Sequence, residues 1–134
     1  MKLDEILERK DIRVDVESSI LSTSKANSSA LDFNEQKSGN AICYKASNGK
    51  FKIYLYRSER LFGETDARHL KHQSRLRIIR GQVEIKFTYE ESSPTTRRLS
   101  RGTSTRLPQN VTFTIRFLTE DTICLGIETN GDPS

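Results

Sequence analysis

The sequence predicts an all-β fold, one small antiparallel β-barrel over residues 31–128 with a short N-terminal arm before it. Three observations carry this. Val83, Ile85, Phe87 and Tyr89, and again Val111, Phe113, Ile115 and Phe117, alternate with polar residues, the pattern of strands with one face in a core and the other toward water. Asn48-Gly49 stands between two apolar-rich runs, and that dipeptide is the strongest short hairpin signal. After residue 30 no stretch holds a helical period long enough to compete.

Leu3, Ile6 and Leu7 lie at helical spacing, and Ile12, Val14 and Val16 then alternate with charged residues in the manner of a short strand. Both belong to the arm. Residues 18–29 contain six serines together with Thr23, Lys25 and Asn27; so polar a stretch buries too little apolar area to offset its ordering entropy, which predicts a linker. The arm and linker therefore occupy residues 1–30. Within the barrel, 41–46 and 51–57 form the hairpin around Asn48-Gly49, and 76–80 passes through Gly81 into 83–89. Ile123, Leu125 and Ile127 alternate with Cys124 and Gly126 to give a last strand. The expected interior is Val83, Ile85, Phe87, Val111, Phe113, Ile115, Phe117, Ile123, Leu125 and Ile127. Residues 129–134 are left as a C-terminal tail.

At 134 residues and 15.3 kDa the chain is long enough for one core without disulfides or metal. No apolar run exceeds four residues, whereas a membrane span needs ~20 and a signal-peptide core ~7–15, so neither a membrane nor secretion is expected. Cys43 and Cys124 are the 2 cysteines and form neither a disulfide framework nor a zinc spacing, which suits a reducing cytoplasm. The net charge of +4 is unevenly spread. Residues 1–17 are acidic, 57–80 hold seven bases against three acids, and 92–106 carry Arg97, Arg98, Arg101 and Arg106 with no acid. Positive surfaces of this kind attract anions. Nucleic acid is not the expected anion, because Trp is absent, aromatics make up 7%, and the aromatic–basic interleaving of single-strand binders is missing. Arg97, Arg98 and Arg101 read instead as a mobile cationic loop.

Gly102, Pro108, Asn110, Phe113 and Phe117 stand at intervals that resemble the second motif of the cupin superfamily, glycine, proline, glycine, histidine and asparagine. Gly63, His69, Lys71, Arg75 and Gly81 resemble its first motif, whose pattern is histidine, histidine, glutamate, glycine. The resemblance covers roughly residues 40–128 and implies a cupin-like jelly roll. In metal-binding cupins three histidines and a glutamate converge inside the barrel; here those positions hold His69, Lys71, approximately Arg75, and Phe113. Two cations and an aromatic ring do not hold a divalent metal, so no metal and no other cofactor is expected.

Residues 68–73 running into 76–81 further resemble the metal-free cupins that isomerise or epimerise nucleotide-linked deoxysugars, with Ala67 replacing the first His of their His-Ala-His-Lys motif. That implies His69 as the catalytic acid or base, imidazole being the side chain suited to proton exchange at physiological pH. Lys71, Arg75, Arg57 and Tyr56 are the expected ligand-binding residues, the cations receiving a small anionic ligand such as a nucleotide sugar. If the chain is an enzyme, it is then a metal-independent isomerase or epimerase. Structural roles compete at each position. His69 could be a histidine satisfied by a backbone carbonyl, Arg75 and Arg77 could face solvent while Leu76 and Ile78 point inward, and Tyr54 and Tyr56 could sit at a sheet–sheet or subunit contact. The Tyr54/Tyr56 face and a strand at 12–16 make a homodimer the expected assembly. The second reading of function is a non-catalytic interaction module that uses its Arg-rich loop or acidic arm to bind another macromolecule. An open barrel mouth favours the first reading and a filled one the second.

Overall fold

A computed structural model describes residues 1–129. Among these residues ten strands form two antiparallel sheets. The six-stranded sheet runs β1 (Asn34–Ser38), β2 (Ala41–Ser47), β3 (Phe51–Ser58), β10 (Ile123–Thr129), β5 (Ser74–Arg80) and β8 (Ser104–Leu107). The four-stranded sheet runs β4 (Arg68–His69), β9 (Val111–Phe117), β6 (Gln82–Tyr89) and β7 (Thr95–Ser100). Together they make a jelly roll, the antiparallel barrel that the alternating runs predict in the form that the cupin resemblance implies.

The β2–β3 turn forms at Asn48-Gly49, where Gly49 takes φ +94° and Asn48 Oδ1 accepts from the Phe51 amide at 2.8 Å. Gly81 carries the chain from β5 in one sheet to β6 in the other at φ +83°. A Cβ there would meet Thr119 Oγ1 at 2.4 Å, so the crossing needs glycine both for its φ and for its lack of a side chain.

The arm is the principal correction. Residues 12–16 are not a strand and 18–24 are not a linker: α1 (Leu3–Ile6) is followed by one 15-residue helix, α2 (Lys10–Ser24). Ile12, Val16 and Ile20 stand at i, i+4 and i+8, and all three are buried. Val14, which completed the apparent period of two, is exposed. Ser18, Ser19 and Ser22 lie on the polar side of this helix, Ser24 is buried in line with Ile12, Val16 and Ile20, and that stripe supplies the burial that a linker lacks. Lys25 ends it in the left-handed conformation, φ 60°, its amide donating to the Leu21 carbonyl.

Helix α2 covers the outer face of the six-stranded sheet, so that this sheet is buried on both sides. Leu3, Ile6, Leu7, Ile12, Val16 and Ile20 pack with Ile53, Leu55, Ile79, Ile123, Leu125 and Ile127 in one cluster. Tyr54, Tyr56, Leu76, Ile78 and Cys124 join Val83, Ile85, Val111, Phe113, Ile115 and Phe117 in another, between the sheets. Ile123, Leu125 and Ile127 are therefore core residues of the helix layer and not of the barrel interior, since a strand covered on both faces needs apolar residues at both parities. Tyr54 and Tyr56 line the barrel between the two sheets, the sheet–sheet contact of the two alternatives and not a subunit surface. With 12–16 helical as well, neither feature behind the expected homodimer is a free edge.

Arg97 and Arg98 belong to β7, paired with β6, and not to a loop. The tail expected over 129–134 begins inside β10 at Thr129 and otherwise lies outside the described residues.

Candidate functional site

The barrel interior is closed by a buried ion pair. Arg68 enters from β4, its Nη2 bonded to the Glu128 carboxylate and its Nη1 donating to the Tyr56 hydroxyl at 3.3 Å. Its guanidinium carbon lies 3.6 Å from the centre of the Tyr54 ring, and the Tyr54 and Tyr56 rings stack at 6.4 Å. The Glu128 side chain is 5% exposed and that of Arg68 26%, so the pair is cut off from most solvent. Such an assembly engages both terminal nitrogens of the cation and one π-face together.

The nearby titratable groups are held in their neutral forms. Burial pushes the Cys43 thiol up to about 11 and raises Cys124 further. Burial likewise raises the Tyr54 and Tyr56 phenols. A thiol or phenol with a raised pKa is a poor nucleophile and a poor base near neutrality.

The residues expected to form a site are not brought together. His69 is exposed, its Nδ1 3.1 Å from Thr112 Oγ1. Lys71 is exposed as well, in the turn after β4. Arg57 faces the helix layer and donates from Nη1 to the Ile6 carbonyl at 3.1 Å. Tyr56 is in the barrel, while Arg75, paired with Ile127, is on the outer face of the six-stranded sheet. The reason is register. Arg68 pairs with Phe113 and His69 with Thr112, and cross-strand partners share a face, so 68 points in with Phe113 while 69 points out.

The inward positions are thus one residue earlier than the motif spacing suggests: Arg68, Leu70 and Ser74, with Phe113 opposite. Leu70, Ser74 and Phe113 are all buried. The glycine slot of the first motif then falls on Phe62, which takes φ +61°, a conformation that glycine adopts without strain. A guanidinium, two hydrocarbons and one hydroxyl do not fit a divalent metal. Among the described residues no group of three His, Cys, Asp or Glu is placed to hold one.

A different constellation lies on the outer face. Helix α2 is clamped over β5 by Arg80, whose Nη1 is 2.7 Å from Asp15 and whose Nη2 is 3.4 Å from Asp11. Beside this clamp the polar side of α2 and the edge of the sheet enclose a groove of about 310 Å³, walled by Ser18, Ser19, Ser22, Thr23, Arg75, Arg77 and Ser104 over a floor of Leu125 and Ile127. Arg75 pairs in register with Arg106, and both are exposed. Among the described residues neither Arg75 nor Arg77 has a carboxylate partner, and the hydroxyls of Ser18, Ser19, Thr23 and Ser104 make no hydrogen bond within the protein. Arg75 is the one expected ligand-binding residue found in this groove. The hydroxyl row was missed because 18–29 read as a linker; the signal was the i, i+4, i+8 spacing of Ile12, Val16 and Ile20.

These two layered sheets, with their closed interior, define a cupin fold. Solved structures of that fold are similar to it: a point variant of Bacillus subtilis oxalate decarboxylase, with a TM-score of 0.64 and 14% identity over 79% of this chain, and vicilin from Corylus avellana (hazelnut), with a TM-score of 0.65 and 13% identity over 75%. The chain spans 29% and 32% of the length of those two chains. Oxalate decarboxylase has Mn(II) centres, whereas the inward residues here do not suit a metal. No protein-family model and no curated protein matches the sequence, and none of the helices among the described residues is long and apolar enough to cross a membrane.

Proposed function

We propose that this is a metal-independent cupin-fold binding protein that takes a small anionic ligand in the groove between α2 and β5, and that its barrel interior is structural. The observation that carries this is the pair of exposed guanidiniums, Arg75 and Arg77, without carboxylate partners and facing a row of hydroxyls. An uncompensated arginine pair at a groove is a recognition element for phosphate or carboxylate. Isomerase or epimerase activity needs an acid or base beside the substrate. His69 lies outside the barrel and the interior thiols and phenols are held neutral, so this reading assigns no catalysis to the interior. The interaction-module alternative shares the closed barrel, with its Arg-rich segment in the edge strand β7 and its acidic arm in the docked helices.

The test is a thermal-shift panel of phosphate, citrate and nucleotide diphosphates at constant ionic strength. A ligand at 100 times its dissociation constant stabilises by about 2.7 kcal/mol, well within reach of the method. The shift is expected to persist in His69→Ala and to vanish in the Arg75→Gln/Arg77→Gln double variant. A shift that His69→Ala abolishes, or that the double variant retains, overturns the proposal.

A further inference from the structure

The groove continues past Arg77. A second cavity of about 270 Å³ shares Ser18, Ser19 and Arg77 with the first and adds Arg101, Gly102, Asp15, Ile78 and Ile79. Arg101 is held beside β5 by the backbone. The Gly102 amide donates to the Ile78 carbonyl at 2.9 Å, and the Ile78 amide donates to the Thr103 carbonyl at 3.0 Å. Three guanidiniums therefore line one continuous trough, Arg75 in the first lobe, Arg101 in the second and Arg77 at the junction. Arg75 and Arg77 alternate on one strand face, about 6.6 Å apart along it. The one carboxylate among the described lining residues, Asp15, is already bonded to Arg80 at 2.7 Å, so it does not neutralise the trough.

We infer that the ligand of this groove carries two linked phosphate groups, one in each lobe, both contacting Arg77. The inference rests on the proposed anion-binding role of the groove and specifies its ligand. Three features favour phosphates in a pair. A phosphate monoester carries about −1.5 to −2 near pH 7 and leaves part of a charge of three guanidiniums uncompensated, whereas a diphosphate matches it. A carboxylate's two oxygens are satisfied by a single arginine fork, which would leave the hydroxyls of Ser18, Ser19, Thr23 and Ser104 unused; phosphate oxygens accept from forks and hydroxyls together. The floor of the first lobe, Leu125 and Ile127, is apolar and suits a carbon skeleton attached at that end.

Isothermal titration at fixed ionic strength with inorganic phosphate and with pyrophosphate tests this on the wild type and on Arg77→Gln, Arg101→Gln and Arg98→Gln. Arg98 lies on β7 in the other sheet and serves as the charge control. Pyrophosphate is expected to bind at least tenfold more tightly than phosphate. Arg77→Gln should weaken both probes tenfold or more, and Arg101→Gln should weaken pyrophosphate to the level of phosphate while leaving phosphate unchanged. Arg98→Gln should change neither. Equal affinity for the two probes, or indifference of pyrophosphate to Arg101→Gln, overturns the paired-phosphate inference while leaving single-anion binding standing. Absence of saturable binding by either probe overturns both, and so does an Arg98→Gln loss as large as that of Arg77→Gln. All three arginines are exposed, so the variants retain the fold, which a melting curve on each confirms.

Discussion

Arg68→Met leaves the Glu128 carboxylate, 5% exposed, without its counter-charge. Breaking one side of a buried ion pair costs ~3–5 kcal/mol, because the surviving charge is stranded away from water. The Arg68 side chain retains 26% exposure, so water reaches part of the site and the lower end, about 3 kcal/mol, is the appropriate figure. Glu128→Leu strands the guanidinium against Tyr54 and Tyr56 and costs a similar amount. The double variant removes both charges and both desolvation penalties, and apolar replacement of such a pair is often neutral or stabilising; it should lie within about 1 kcal/mol of the wild type. Urea unfolding followed by circular dichroism at pH 7 measures all four proteins. With a slope of roughly 2 kcal/mol/M the single variants shift the midpoint by about 1.5 M. Single costs below about 1 kcal/mol, or additive costs in the double variant, would refute the view that this pair is a structural plug.

The helix layer makes its own demands. Ile20→Ala, at a position with no exposed surface beneath α2, should cost ~2–5 kcal/mol in the same urea assay; a cost near zero means that the helix is not docked. Gly81→Ala combines φ +83° with a Cβ 2.4 Å from Thr119 Oγ1, and a strained backbone alone costs ~1–3 kcal/mol, so the melting temperature should fall; an unchanged one contradicts the tight crossing between sheets. Acid titration of stability tests the surface ion pairs. Arg9, the nearest partner, holds the Asp11 carboxyl below its ordinary value, and the N-terminal amine does the same for Asp32. A depressed folded-state pKa gives stability that is complete above the unfolded value of about 3.9 and is lost as pH falls through the lower folded one. Asp11→Asn should therefore flatten the acid limb below pH 4, and an unaltered limb would show that the pair contributes nothing.

The strands were legible because their periods are clean: Val83 to Tyr89 and Val111 to Phe117 alternate, and Asn48-Gly49 marks its hairpin. What alternation could not show was which sheet has a second covered face. Ile123, Leu125 and Ile127 alternate like a half-buried strand, yet Cys124 and Gly126 between them are buried as well, and Ile53 to Tyr56 is an uninterrupted apolar run of the kind that two-sided burial produces. That run was the available sign of a helix layer. Ile12, Val14 and Val16 fit a strand locally, and only the longer window that reaches Ile20 separates the helical period from it. The site failed by a single residue. Reading His69, Lys71 and Arg75 as the inward set reverses every side chain in the strand, and the register that decides it, Arg68 with Phe113, is a pairing between segments 45 residues apart in the chain, which no local pattern encodes. The groove depends on α2 lying beside β5, again a long-range fact.

A closed barrel with its ligand on the outer face is tested by an amide-resolved ¹H–¹⁵N NMR titration of the wild-type protein with pyrophosphate. Saturable shifts are expected at residues 18–23, 75–77 and 101–104, with Tyr54, Tyr56 and Phe113 unmoved. Shifts centred on Arg68, Tyr54, Tyr56 and Phe113, or no saturable shift in the α2–β5 groove, would contradict it.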